Sequence, residues 1–205
     1  MKEMWDSRYA NKEYAYGTLP NEFFRESLDK YKPTGKILMP AEGEGRNAVF
    51  AAKSGLDVTA FDISIEGKNK ALKLADQENV TIDYQVGDFY ELKLVDVRYD
   101  AAALIYAHFP PSLLSKYFRK IAELIKPDGM IILEGFSKNH IKYQEKYPNI
   151  GGPKTLDFLF SKESIQADFA DFEIIQLEEV EVALNEGLYH NGVGSVIRFI
   201  GKKVV

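Results

Sequence analysis

The chain has 205 residues, enough for one domain with a sizeable core, and its 45% hydrophobic and 28% charged residues are the balance of an ordinary globular protein. Lysine and arginine number 26 against 31 aspartate and glutamate, and this net charge of −5 argues against work on duplex DNA or bulk RNA, which calls for a basic face to displace counterions. The absence of cysteine excludes disulfides, zinc–thiolate sites and cysteine nucleophiles, no apolar run reaches the ~20 residues of a membrane span, and the N-terminus lacks a signal peptide's apolar core, so a cytoplasmic location is expected.

The segment 5–16 is aromatic and precedes any strand; Trp5, Tyr9 and Tyr16 either pack under a sheet or form a lid over a ligand. A helix is predicted over 20–31, with Pro20 near its start. After Pro33 and Gly35 comes a first apolar run at 36–41 (KILMPA), then a helical segment at 46–53 and a second run at 57–63 (DVTAFDI). Ser64 is a natural N-cap for a helix over 66–76, on which Lys68, Lys70 and Lys73 read as a solvated face. A third run, 80–86 (VTIDYQV), alternates like a strand, and a fourth, 101–106 (AAALIY), is continuously apolar. Pro110 and Pro111 start a helix with the stripe Leu113, Leu114, Tyr117, Phe118, Ile121, Leu124 and Ile125, which Pro127 stops. A fifth run spans 130–134. Two β-rich runs, 172–184 and 193–202, flank a loop at 185–192 and predict an antiparallel hairpin at one edge. Strands alternating with crossover helices predict an α/β, doubly wound, mostly parallel sheet.

The first run leads straight into Gly43-x-Gly45-x-x-Ala48 and a helix, and the second run ends near Asp62. Glycine lets a backbone approach a ligand closely, and a carboxylate at that strand tip can accept two ribose hydroxyls. Two ligands suit this arrangement. A dinucleotide would set a pyrophosphate on the helix N-terminus, as in an NAD-dependent oxidoreductase. S-adenosylmethionine would bring a sulfonium and an ammonium instead. The loop carries Glu42 and Glu44 against Arg46 alone, a charge balance that favours the cation. Asp88 and Phe89, past the third run, either receive an adenine or simply end a turn after Gly87.

These strings resemble the class I S-adenosylmethionine-dependent methyltransferases, and within them the tellurite-resistance-type, small-molecule branch. The resemblance rests on Trp5-Asp6-x-Arg8-Tyr9, Tyr16-Gly17-x-x-Pro20-Asn21, the segment 43–48, Asp62-Ile63-Ser64, Gly87-Asp88, the segment 106–111 and Lys126-Pro127-Asp128-Gly129. Gly151-Gly152-Pro153 and Glu186-Gly187-x-x-His190-x-Gly192 look like features of a related bacterial group. The likeness implies a seven-stranded Rossmann-like sheet of order 3-2-1-4-5-7-6 with strand 7 antiparallel. It also implies one methyltransferase domain over 1–205, with residues 1–32 as lid and helix and 36–205 as core. S-adenosylmethionine would be held by Trp5, Tyr9, Ala41, Glu42, Gly43, Gly45, Arg46, Asn47, Asp62, Ile63, Asp88, Phe89 and Tyr106. One departure stands out: Met39 and Ala41 occupy places where the family has an acid and a glycine, leaving Glu42 as the candidate substitute.

In-line methyl transfer asks the protein mainly for alignment and exclusion of water, and a base where the acceptor is neutral. Histidine suits that role, and there are three. His108 lies past the fourth run, either over the methyl position or capping the next helix. His190 lies in the hairpin loop, and the two are the candidate catalytic residues. Tyr16, His140 and Tyr143 are candidates for the acceptor wall. The partner expected is a small-molecule acceptor, with no nucleic acid, membrane or metal, and the chain a monomer or homodimer. A non-catalytic module that binds the cofactor is the alternative of another class.

Overall fold

The computed structural model describes residues 1–92, 94 and 97–204. Two helices, α1 (Lys2–Tyr9) and α2 (Glu22–Tyr31), precede β1 (Lys36–Pro40), and α3 (Arg46–Lys53) connects it to β2 (Asp57–Asp62). The chain continues through α4 (Ile65–Gln77), β3 (Asp83–Val86), β4 (Tyr99–Ile105), α5 (Pro111–Leu124) and β5 (Ile125–Phe136). Two short helices, α6 (Ile141–Gln144) and α7 (Lys162–Asp168), lead to the closing hairpin of β6 (Phe172–Glu186) and β7 (His190–Lys203). The seven strands form one sheet of order β3-β2-β1-β4-β5-β7-β6. Strands β1 to β5 run parallel, and β7 pairs antiparallel with both β5 and β6. The doubly wound sheet and its strand order therefore stand as expected.

Local chemistry sets the boundaries. Asn21 caps α2 by accepting from the Phe24 amide at 2.9 Å, so Pro20 lies just outside the helix. Ser64 caps α4 through the Gly67 amide at 3.1 Å. Pro111 occupies the first turn of α5, where its missing N–H costs nothing. That helix ends at Leu124, and Ile125, expected on its apolar stripe, instead opens β5.

Alternate residues of the central strands feed two cores. Leu38, Leu104 and Leu133 face one layer with Phe118, Phe169 and Phe199. Ile37, Met39, Ala101 and Ile132 face the other with Phe24 and Ile200. Each fully buried aliphatic side chain contributes ~1.5–3 kcal/mol, which is why continuous apolar runs become inner strands.

Two features position the site. The sheet order reverses between β1 and β4, and their tips carry Ala41 and Tyr106, both at φ 53. Non-glycine residues in that region are strained and persist only where their surroundings hold them. Tyr106 is held by Glu134, whose backbone oxygen accepts its amide at 2.7 Å and whose carboxylate accepts its hydroxyl at 3.1 Å. The second feature is the hairpin. β6 and β7 stay paired as far as Glu186↔His190, whereas β5 pairs with β7 only between Val196 and Lys202. The distal hairpin thus outruns β5, and its tip docks on the N-terminal segment through Leu188 N–H donating to Ala15 O at 2.8 Å. The loop expected over 185–192 shrinks accordingly to Gly187, Leu188 and Tyr189, because cross-strand pairing continues nearly to the turn.

Candidate active site

A cavity of about 800 Å³ opens over the tips of β1, β2, β3 and β4, roofed by α1, the segment around Tyr16 and the tip of the hairpin. On one half, Asp62 ends β2 and is buried, its Oδ2 accepting from Gly43 N–H at 3.0 Å and its Oδ1 from Ser64 N–H at 2.9 Å. A carboxylate has about four acceptor positions, so lone pairs remain for a ligand. Burial, only partly offset by these amides, raises the Asp62 carboxyl to about 6. Asp88 accepts from Tyr117 O–H at 2.6 Å and Tyr90 N–H at 3.1 Å. Beside it Phe89 stacks parallel on Phe61 at 5.3 Å, and both rings line the cavity. Ile63 and Ala41 add to the wall. Trp5 and Tyr9, stacked at 5.3 Å, close it from α1, and the Tyr9 ring fills the space that a Cβ on Gly43 would occupy.

Glu42 accounts for the altered loop. Its Oε1 accepts from the amides of Asn47 at 2.9 Å and Ala48 at 2.7 Å, so a carboxylate sits on the first turn of α3. Helix N-termini favour anions, yet burial dominates and raises this group to about 7. Glu44 behaves differently. Lys70 reaches it at 2.7 Å and Ala15 N–H donates to it at 2.7 Å, so its charge is neutralised within the protein. Lys70, expected on a solvated face, is drawn under the loop by that pair, with only 14% of its side chain exposed.

Of the remaining loop residues, Arg46 and Asn47 line the cavity and Gly45 serves the frame. Gly45 does not line the cavity; a Cβ there would lie 2.5 Å from that of Ala71, so the glycine permits close approach of α3 and α4. Arg46 is spent on Glu186 at 3.0 Å, and Asn47 accepts from Asn21 N–H at 2.8 Å.

The three histidines separate. His108 lines the cavity with both ring nitrogens committed: Phe158 O, which can only accept, fixes the proton on Nδ1 at 2.8 Å, and Phe136 N–H donates to Nε2 at 3.1 Å. Burial lowers its pKa to about 4. The expectation that it acts as a base is corrected: no lone pair is left. His140 is fully buried, stacked on Phe136 at 3.9 Å, with Nε2 donating to Gly151 O at 3.1 Å. Tyr143 turns outward to hydrogen-bond Glu181 on the hairpin. Neither His140 nor Tyr143 lines the cavity, so their expected place on the acceptor wall is also corrected.

His190 is different. It opens β7, lines the cavity between the rings of Tyr16 at 4.5 Å and Tyr106 at 4.7 Å, and contacts Glu186 through Nδ1 at 2.8 Å. Its Nε2 has no protein partner among the described residues. Glu186 was quoted in the sequence only as part of a motif, yet the three-residue turn places it directly across from His190. Arg8 too was quoted only within a motif and given no role. It donates to Tyr16 O–H at 2.8 Å, lies over the Trp5 and Tyr189 rings, lines the cavity, and has no carboxylate within ion-pair distance among the described residues.

The residues present fit S-adenosylmethionine. Two carboxylates at adjacent strand tips suit a ribose and an adenine amino group, a third, half-buried carboxylate suits cationic centres, and Arg8 suits a carboxylate.

Comparison with known proteins bears on this geometry. Residues 37–129 match a family described as a methyltransferase domain. Demethylmenaquinone methyltransferase from Renibacterium salmoninarum is 28% identical over 105 residues, which is 51% of this chain and 43% of that protein, so the match spans less than half of the relative. Among solved structures, one from work on conversion of a disulfide into a thioacetal group during echinomycin biosynthesis superposes with a TM-score of 0.78 at 16% identity, covering 100% of this chain and 92% of the other. TehB from Haemophilus influenzae gives 0.69 at 14% identity over 98% and 66% of the two chains. Magnesium protoporphyrin IX methyltransferase from Synechocystis, with bound SAH, gives 0.64 at 15% over 98% and 83%. At these identities the likeness is one of fold. The methyltransferase-domain match over 37–129, the sheet order and the cleft at its switch point together give this chain the Rossmann-like methyltransferase fold.

Proposed function

We propose that this protein transfers a methyl group from S-adenosylmethionine to a small-molecule acceptor. One observation carries the choice of cofactor: the N-terminus of α3 is already capped by the Glu42 carboxylate. A dinucleotide's pyrophosphate would need that same helix end and would be repelled, whereas a sulfonium and an ammonium are attracted. In this reading Asp62 accepts from the ribose hydroxyls, and Asp88 accepts from the adenine amino group beside Phe89. Gly43 allows close backbone approach, Trp5 and Tyr9 cover the cofactor, and Arg8 pairs with its carboxylate. Residues 1–32 then act as lid and helix over a core of 36–205.

A cavity of about 800 Å³ holds such a cofactor together with a compact second molecule, and a site of this kind serves small ligands rather than polymers. The likeness to enzymes acting on demethylmenaquinone and magnesium protoporphyrin IX, and to TehB, supports the small-molecule branch. In the same reading His190 takes a proton from the acceptor.

Thermal unfolding with added ligand tests the proposal. S-adenosylhomocysteine at about one hundred times its dissociation constant should stabilise the protein by ~2.7 kcal/mol. NADH should leave the melting temperature unmoved. The reverse pattern would refute the reading.

A further inference from the structure

The cavity divides by chemistry. Its carboxylates Glu42, Asp62 and Asp88 lie on the half assigned above to the cofactor. The other half presents Tyr106, Phe136, Phe158 and Pro153, and its buried cation, Arg46, is consumed by Glu186. With Arg8 assigned above to the cofactor, the exposed Lys154 is the one lining cationic side chain left without an ion pair among the described residues, so an inorganic oxyanion would find a single charge there. Flat apolar molecules find ring faces instead, which pack favourably edge-on or offset.

Into this aromatic half opens one basic atom. Glu186 is held ionised, well below the usual carboxylate range at about 2, by His190 and Arg46. An ionised carboxylate can only accept, so the His190 Nδ1 must carry the proton and Nε2 the lone pair. Gly151 keeps that nitrogen open: a Cβ there would lie 3.2 Å from it. The ring cannot swing away, since Tyr16, Tyr106 and Phe136 pack around it.

We propose that the acceptor is a flat aromatic molecule carrying its nucleophile as an ionisable X–H group, a phenol or an arene thiol, and that Glu186 is the positioning residue that fixes His190 to receive its proton. The inference rests on the methyltransferase reading. In the reaction the acceptor atom bonds to the methyl carbon, the sulfur–methyl bond breaks with its electron pair staying on sulfur, and the acceptor's proton passes to His190 Nε2.

Acceptor acidity provides the test. With a phenol that is un-ionised at neutral pH, His190→Ala and Glu186→Gln should each lower kcat about 10²-fold, in the range of general-base catalysis, with little change in KM for S-adenosylmethionine. With an arene thiol that is already ionised, the same variants should lose only a few-fold. A defect of equal size for both acceptors would mark a merely structural role and overturn the proposal. Nitrogen NMR of the ligand-free protein supplies a readout independent of turnover. His190 should be the Nδ1–H tautomer, a preference lost in Glu186→Gln; a wild-type Nε2–H tautomer would refute the assignment. The kcat of the wild-type enzyme on the phenol should rise with pH through an inflection below the ordinary imidazole range and then level. The groups facing His190 that set this inflection are Glu186, Arg46, Arg8, Tyr16, Tyr106 and His140. Methylation of selenite in preference to every arene, or no arene turnover by protein that binds S-adenosylhomocysteine, also overturns the proposal. Failure to bind S-adenosylhomocysteine at all would instead refute the underlying methyltransferase reading.

Discussion

His108 and His190 line one cavity, yet their ring nitrogens have opposite fates. Phe158 O and Phe136 N–H saturate the first, whereas Glu186 orients the second and leaves Nε2 open. His108 therefore belongs to the frame beneath the acceptor half, stacked on Phe160 at 4.4 Å. Replacing it with alanine should lower stability by about 2–3 kcal/mol, through two lost backbone partners and the void left behind, with cofactor affinity unchanged. Denaturant unfolding and calorimetry check the two halves of that statement. Asp62 is the opposite case. Asp62→Ala should weaken S-adenosylhomocysteine binding by about 1–3 kcal/mol, the cost of unpaired ribose hydroxyls, and unchanged affinity in calorimetry would count against the assigned pose.

At the scale of elements, the roof is assembled from pieces far apart in the chain. The hairpin tip meets the N-terminal segment at Gly187, where an added Cβ would lie 2.5 Å from both Ala15 O and Gly17 N, and where φ is +62. These are backbone atoms that cannot rotate away. Gly187→Val should consequently lift the tip, expose the segment before α2 to protease and weaken cofactor binding, while far-UV circular dichroism stays native. Retained protection of that segment would show that the docking is not needed. On the other side of the roof Asp6 joins α1 to α4, accepting from Ser64 O–H at 2.6 Å and Ile65 N–H at 3.1 Å. Its carboxyl is lowered to about 2, first by Lys2 and then by Ser64. The acid thus complements the positive end of α4 and holds α1 against it.

For the whole molecule, the cleft holds two carboxyls raised by burial, Asp62 at about 6 and Glu42 at about 7. The sign follows from proton binding. Between the ordinary carboxylate range and those values the folded protein binds more protons than the unfolded chain, so these two groups lower stability as pH rises across that window. A bound cation and hydroxyl donors favour the ionised forms and reverse the penalty. Cofactor binding should therefore release protons between about pH 6 and 7, with affinity rising through that interval and levelling above it. Calorimetry in buffers of differing ionisation enthalpy would detect the release, and its absence would refute the coupling.

Much of this was legible in the chain itself. Apolar periodicity, the glycine loop and the prolines around α5 determined the strands, the layer architecture and the crevice over β1 and β2, because burial and backbone restriction act over a few residues. Asp62, Asp88 and Glu42 were identifiable for the same reason: each directly follows a strand or opens a loop. What only the tertiary structure decided was the state of each polar group once the distant pieces met. Lys70 folds back onto Glu44, His140 sinks beneath Phe136, and Glu186 lies opposite His190 across a turn that cross-strand pairing shortened. Partners for a hydrogen bond or a charge come from whatever the fold brings within about 3 Å, and spacing along the chain does not carry that information.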